Sequence, residues 1–249
     1  MPKSDMMNFY AVIIGTEILN GRRVDKHFEF LKNELAKYGH EIFGSFVIKD
    51  DTELMKRTYT MIKEDKSAVM FSFGGIGSTP DDLTREVASV VFRNSKPATH
   101  EKFKHDIIEK FGDEAFPHRI HMADLPPNAK LLHNPVNNMS GFSLDDRFFF
   151  MPGFPSMSHP MVSEIIKKYF NKSKQKYRYT LKAKTSENTL IGLMQQLPKS
   201  VELSSLPIFI DKKPNIELSL SGTNNEEVKK YFNMFQEELT HKNIPFTLT

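Results

Sequence analysis

Residues 74 to 84 read Gly-Gly-Ile-Gly-Ser-Thr-Pro-Asp-Asp-Leu-Thr, between an apolar run from Ala68 to Phe73 and an amphipathic stretch from Leu83 to Phe92. Glycine lets a backbone turn with positive φ and bring its N–H groups close to an anion, and the start of a following helix adds partial positive charge. The pattern predicts that Gly74, Gly75, Gly77, Ser78 and Thr79 cradle a phosphate, the last two with hydroxyl donors. Asp81 and Asp82 then bring negative charge to the same place, which is unfavourable unless a divalent cation lies between. A magnesium-type ion held by one or two carboxylates and by phosphate oxygens fits that composition. The alternative is local: Asp81 or Asp82 caps the helix, and the glycines only make a tight turn.

Such a loop works only where a scaffold holds it. Phe9 to Ile14 is a continuous apolar run ending in Gly15, as suits a strand covered on both faces of a parallel sheet. The spacing of Phe28, Leu31, Leu35 and Tyr38 predicts a helix from Asp25 to Tyr38, stopped by Gly39. Glu41 to Ile48 reads as a second strand. Thr52 to Lys63 reads as a second helix, capped by Asp51 or Thr52, with Leu54, Thr58, Met61 and Ile62 inward. Ala68 to Phe73 is the third strand. Helices are predicted at Leu83 to Phe92, Thr99 to Phe111 and Met157 to Phe170, and strands at Leu131 to Leu132 and Arg147 to Met151. Strands alternating with helices predict an α/β fold with a doubly wound, mostly parallel sheet, whose ligands sit at the carboxyl ends of strands. Three loops fall there: Thr16 to Gly21, Lys49 to Asp51 and Gly74 to Asp82. After a solvated linker (Asn171 to Lys176), the order of predicted elements is β-α-β-β-α-β, that of a smaller α+β, ferredoxin-like domain. The expected division is 1–170 and 171–249.

Composition narrows the chemistry. The 249 residues include no cysteine, which removes disulfides, thiolate zinc sites and cysteine nucleophiles together. Residues 1–170 hold 22 Lys and Arg against 23 Asp and Glu, whereas residues 171–249 hold 12 against 8, so the net charge of +3 belongs to the last third. A nucleic-acid partner is therefore not expected. No apolar run approaches the roughly 18 to 20 residues that span a bilayer, and Met1 to Tyr10 does not read as a signal peptide, so the expected setting is the cytoplasm without a membrane. His118 and His121 form no recognised metal frame. Phe148 to Phe150 reads as buried strand, and the alternating Lys172, Lys174, Lys176, Arg178, Lys182 and Lys184 as a solvated strand face.

The segment Gly74 to Thr84, with Gly15-Thr16-Glu17-Ile18-Leu19-Asn20-Gly21, Asn134-Pro135-Val136-Asn137-Asn138-Met139-Ser140-Gly141-Phe142 and Pro152-Gly153-Phe154-Pro155, resembles the MoaB/Mog molybdopterin-binding fold. Within that fold it is similar to the amino-terminal region of the competence/damage-inducible protein A (CinA) family, over roughly residues 8 to 170. The chain stops at Thr249, so the carboxy-terminal deamidase activity of longer relatives is not an expectation. The resemblance implies a phosphorylated ligand carrying an adenylyl or pterin group, such as a dinucleotide or molybdopterin. It also implies metal-dependent cleavage of pyrophosphates such as ADP-ribose or FAD. Asp82 and, secondarily, Asp81 would hold the metal (magnesium, manganese or cobalt) or orient water, and Asp50 would be a second ligand or base. Glu17, Thr84, Gly141, Pro152 and Gly153 complete the implied ligand-binding set; Asn20 and Arg85 are weaker candidates. Two positions depart from the family pattern. Asn137 to Ser140 replaces most of a Gly-Thr-Ala-Pro-Gly run, and Met157 stands where relatives carry an acid, which weakens a metal site or changes how the ligand's far end is held. The leading expectation is a metal-dependent nucleotide pyrophosphatase. The alternatives are molybdopterin binding or adenylylation, and a non-catalytic nucleotide- or pterin-binding module. Self-association into dimers or trimers is implied by the same resemblance.

Overall fold

The structure is a computed structural model that describes residues 7–171, 176–210 and 212–249. The readings made of the first six residues and of linker residues 172–175, including Lys172 and Lys174, fall outside the described residues. The chain divides into two compact units between Ser173 and Lys174.

In the first unit the elements run β1 (Asn8–Ile14), α1 (Thr16–Leu19), α2 (His27–Ala36), β2 (Ile42–Ile48), α3 (Thr52–Glu64), β3 (Ala68–Phe73) and α4 (Thr84–Arg93). They continue with β4 (Ala98–Thr99), α5 (Glu101–Phe111), β5 (Asp124–Leu125), β6 (Lys130–Leu132), β7 (Gly141–Leu144), β8 (Phe148–Met151) and α6 (Pro155–Tyr169). The main sheet has the order β2-β1-β3-β8-β7-β6. Its first four strands are parallel, while β7 runs antiparallel to both β8 and β6. From β1 the chain crosses to β2 on one side, and from β3 it proceeds toward β8 on the other. The order therefore reverses between β1 and β3, and such reversals open a crevice beyond the carboxyl ends of the strands. The loops after Ile14 and Phe73 flank that crevice.

Strand periodicity sorts the core into two layers. Phe9, Ala11 and Ile13 pack with Leu31 and Leu35 of α2 and with Met161, Val162, Ile165 and Ile166 of α6. Tyr10, Val12 and Ile14 face the other way, onto Met55, Tyr59 and Ile62 of α3, Val87 and Phe92 of α4, and Phe103 and Ile107 of α5. Helix α3 corrects the expected phase. Its buried residues are Met55, Thr58, Tyr59 and Ile62, whereas Leu54 and Met61 are exposed. Tyr59 supplies a second inward position beside Thr58 because its ring is fully buried while its hydroxyl meets Ser72 at 2.8 Å. The cap is Asp51, whose Oδ1 accepts from Leu54 N at 2.8 Å. Removing it in Asp51→Ala is expected to cost about 1 kcal/mol, read as a lower urea midpoint at unchanged slope. No loss of stability would show that another group caps the helix.

The second unit runs β9 (Tyr177–Ala183), α7 (Ile191–Met194), β10 (Glu202–Ile210), β11 (Lys213–Gly222), α8 (Asn225–His241) and β12 (Phe246–Leu248). Its antiparallel sheet has the order β10-β11-β9-β12, which is the split βαβ arrangement. The helix expected from Glu187 to Leu197 is instead a short 3₁₀ turn at Glu187–Thr189 followed by the single turn of α7. Leu190 alone in that stretch is fully buried. Lys176, just before β9, pairs with Glu202 at 2.6 Å, and Lys182 of β9 pairs with Glu217 of the neighbouring β11 at 3.1 Å, so part of the basic pattern is compensated by acids of the same sheet.

Candidate functional site

A cleft of about 510 Å³ lies within the first unit at the carboxyl ends of β1, β2, β3 and β8. Each of these strands ends in residues that line it: Gly15 and Glu17 after β1, Asp50 after β2, Gly74 to Thr79 after β3, and Pro152 and Gly153 after β8. Asp81 and Asp82 line it too. Thr84 and Gly141 of the implied ligand set do not. Thr84 is fully buried behind the loop, its hydroxyl donating to the Gly74 carbonyl at 2.9 Å. Gly141 lies in β7, where a Cβ would stand 2.4 Å from the Phe150 carbonyl oxygen. Both hold the scaffold rather than face the cleft.

The glycine loop has a different internal arrangement from the one its sequence predicts. Asp82 turns its carboxylate into the loop: Oδ1 accepts from Gly77 N at 2.7 Å, and Oδ2 accepts from Thr79 N at 2.7 Å and Thr79 Oγ1 at 2.6 Å. Two of the amides and one of the hydroxyls expected on a phosphate are thus satisfied by the protein's own anion. A Cβ on Gly77 would meet Asp82 Oδ2 at 2.6 Å, so this glycine is required for the approach of that carboxylate. The N–H groups of Gly75, Ile76 and Ser78 find no acceptor among the described residues, and all three residues line the cleft. Asp81 is exposed, and the nearby Thr79 side chain together with its own backbone N–H holds its carboxyl below the usual range. Arg85 is not the surface charge that a first-turn arginine commonly is. It is 8% exposed and donates through Nη2 to the Gly77 carbonyl at 2.6 Å, and burial lowers the pKa of its guanidinium.

Asp50 is likewise engaged with its surroundings. Its Oδ2 accepts from Thr16 N and Thr16 Oγ1, both at 2.9 Å, which ties the loop after β2 to that after β1. Its other oxygen has no donor among the described residues. Glu17 folds back over Gly15, where a Cβ would meet its carboxylate at 3.0 Å, and it sits 3.9 Å from Arg23. Asn20 is exposed and accepts from Arg22.

His27, Arg23, Arg119 and Asn137 are among the cleft residues that were not anticipated as site residues. His27, on the first turn of α2, is 3% exposed and stacked on Phe73 with ring centroids 4.4 Å apart. Its Nε2 donates to the Gly153 carbonyl at 3.2 Å, which fixes the proton on that nitrogen. Gly153 in turn packs on Gly74, where a Cβ would lie 3.3 Å from the Gly74 Cα. His27 therefore braces the seam between the loops after β3 and β8. Its spacing to Leu31 and Leu35, at four-residue intervals, was the available signal. Arg23, Arg119 and Asn137 also line the cleft. The Asn137 amide nitrogen lies 3.6 Å from the Met157 sulfur, so the two departures from the family pattern meet at one wall. With Phe103, Met122 and Met139, they make the far end of the cleft soft and largely apolar.

Burial lowers the pKa of His27 below its ordinary 6.5, against the raising effect of the Gly153 bond and of Asp25. A neutral imidazole in the fold and a protonated one in the unfolded chain means that the unfolded state binds more protons. Stability should therefore fall as the pH drops through 6.5 toward the lowered folded value. Urea midpoints across this window should fall less steeply for His27→Gln than for the unsubstituted chain. Parallel slopes for the two proteins would remove His27 as the source.

Comparison with known proteins identifies the domain that contains the cleft. The family described as a probable molybdopterin binding domain matches residues 10–172, which include the whole cleft. A CinA-like protein of Acaryochloris marina is 31% identical over 161 residues, 62% of this chain and 38% of that protein. Protein Ta0487 of Thermoplasma acidophilum is 25% identical over 232 residues, covering 89% of this chain and 90% of that one. A crystal structure of the protein CinA from Thermoplasma acidophilum superposes with a TM-score of 0.59 at 28% identity, covering 65% of this chain and 96% of the other. The chain spans about two fifths of the length of the CinA-like relatives it matches. With a matching domain over well over half its length and the cleft inside the match, the chain belongs to the molybdopterin-binding-domain family as a CinA-like protein.

Proposed function

We propose that the cleft binds a phosphorylated small molecule and hydrolyses its phosphoanhydride bond, with ADP-ribose or FAD as the type of substrate. The observation that carries the reading is the set of unpaired loop amides, Gly75, Ile76 and Ser78, at the crevice between β1 and β3. Backbone N–H groups held by a rigid loop bind phosphate oxygens without reorganising, and they stabilise charge that develops on those oxygens. Asp82 keeps the loop in shape by taking the Gly77 and Thr79 amides, while the Gly74 amide donates to the Met151 carbonyl. The soft wall of Met122, Met139 and Met157 suits an uncharged ring, such as a base or a pterin.

A divalent ion fits this donor set in one way. Among the described residues the cleft acids form no cluster of three ligands; the group that does, His105, Asp106 and Glu109, lies outside the cleft. Magnesium ordinarily takes one or two carboxylates and completes its shell with phosphate oxygens and water. Asp50 and Asp82 would supply the carboxylates, and the ion when bound would neutralise the pyrophosphate. Asp50 would also hold the proton of an attacking water on its free oxygen. The proposed setting is the cytoplasm; no helix among the described residues is long and apolar enough to cross a membrane. Self-association is part of the proposal and is read by the sedimentation of the purified chain.

The test is release of AMP from ADP-ribose or FAD in the presence of magnesium, manganese or cobalt. Turnover that EDTA abolishes supports the reading, and binding of ADP-ribose without any AMP release contradicts it. One observation favours a second reading, a non-catalytic nucleotide- or pterin-binding module. Met157 contacts Asn137 where the resemblance implied an acid, which leaves that wall without a carboxylate for a metal. Binding of ADP-ribose with no AMP release with any of the three metals would decide for it, whereas formation of an adenylylated pterin would point to the molybdopterin alternative.

A further inference from the structure

A second cavity, of about 630 Å³, adjoins the cleft at the glycine loop. Ser78, Thr79 and Arg119 line both it and the cleft; the remaining wall comes from Pro80, Arg85, Glu114, Phe116, His118 and His121. Arg85 is the unusual member. The residue is more than nine-tenths buried and Nη2 is used on Gly77, but Nη1 is buried with no hydrogen-bond partner among the described residues. A buried guanidinium nitrogen left unpaired is costly, and it marks a position where an anion would be welcome. Arg119 adds a second fork of donors, stacked 4.6 Å over Phe111 and only partly occupied by Glu114 at 2.6 Å. His118 is exposed, and His121 pairs with Asp124 at 2.9 Å. Glu114 is the one carboxylate lining this cavity, set against two arginines.

We propose that this cavity is an anion subsite for the second phosphate of a ligand whose first phosphate lies on the Gly75–Ser78 amides. The inference rests on the phosphate-binding reading of the cleft and deepens it: the site selects pyrophosphate-bearing ligands over monophosphates. Arginine suits the task because its planar fork matches phosphate oxygens two at a time. The shared residues Ser78, Thr79 and Arg119 place the subsite next to the loop, as the short spacing of a pyrophosphate requires.

Calorimetric titration of the full chain with AMP and with ADP-ribose, both in EDTA to prevent turnover, tests this. ADP-ribose should bind about tenfold tighter than AMP. Glu114→Gln removes the carboxylate from the wall and should tighten ADP-ribose several-fold while leaving AMP unchanged. Arg85→Lys should weaken ADP-ribose selectively, with circular dichroism confirming the fold. The Glu114→Gln result is independent of any damage to the loop, since a merely structural role predicts no tightening. AMP binding with ADP-ribose no tighter, or a Glu114→Gln variant that leaves ADP-ribose affinity unchanged, overturns the subsite while the cleft reading stands. Failure of both ligands to bind, in EDTA and again with calcium present, overturns the cleft reading and the subsite with it.

Discussion

Asp82→Ala is expected to lower AMP release from ADP-ribose by about 100-fold or more. The effect has two sources that act on the same loop. Three donors, Gly77 N, Thr79 N and Thr79 Oγ1, converge on this carboxylate at 2.6 to 2.7 Å, and hydrogen bonds to an ionised acceptor are among the stronger ones. Without it the loop loses the tie that holds the neighbouring amides toward the cleft, and the chain loses one of the two acids proposed to hold the metal. Asp82→Asn should be nearly as damaging, because an amide cannot accept from Gly77 and Thr79 on both of its polar atoms. Melting temperature should fall by only a few degrees, since the loop lies at the surface of a core that the substitution does not touch. An Asp82→Ala enzyme with unimpaired turnover would sink both the brace and the metal assignment.

Gly74→Ala is expected to have the largest effect on stability. Gly74 has φ +100°, a conformation that residues with a Cβ rarely adopt. The added methyl would stand 2.4 Å from the Ile14 carbonyl oxygen, which belongs to the neighbouring strand and cannot swing away as a side chain could. Backbone strain and steric overlap together should cost about 4 kcal/mol, roughly 10 °C in the melting temperature of a unit this size. Gly21 provides the control. It also has positive φ, +78°, but a Cβ there meets nothing within 4 Å. Gly21→Ala should therefore cost only about 1 kcal/mol. Equal losses at the two positions would mean that the close approach of β1 to the loop is not what Gly74 serves.

The contrast between these positions shows what the sequence reveals and what it conceals. The apolar runs at Phe9 to Ile14 and Ala68 to Phe73, and the glycines after them, announced buried parallel strands and a ligand loop, because burial on both faces leaves an unmistakable pattern. The four-residue strand β7 left no such mark: only Gly141 to Leu144 enter the sheet, and the polar run before them reads as loop. In α3 the apolar residues at 54 and 61 suggested the wrong face, since Met55 and Tyr59 were equally eligible and only the packing of the sheet decides between them. The roles of the acids were less legible still. An Asp four or five residues beyond a glycine reads the same whether it faces a metal or turns back to the glycine's own amide, and here it turns back. Arg85 was obscured in the same way, since a single charged side chain carries no periodicity of its own, whereas His27 was marked only by its four-residue spacing to Leu31 and Leu35.

The most direct measurement is a nitrogen–proton NMR titration of the chain with AMP in EDTA. The amide resonances of Gly75, Ile76 and Ser78 should move most and saturate together, while those of Gly77 and Thr79, already bonded to Asp82, should move less. Shifts led by Gly77 and Thr79 would mean that the phosphate displaces Asp82 from the loop. Shifts confined to residues away from Gly74 to Asp82 would contradict the account altogether.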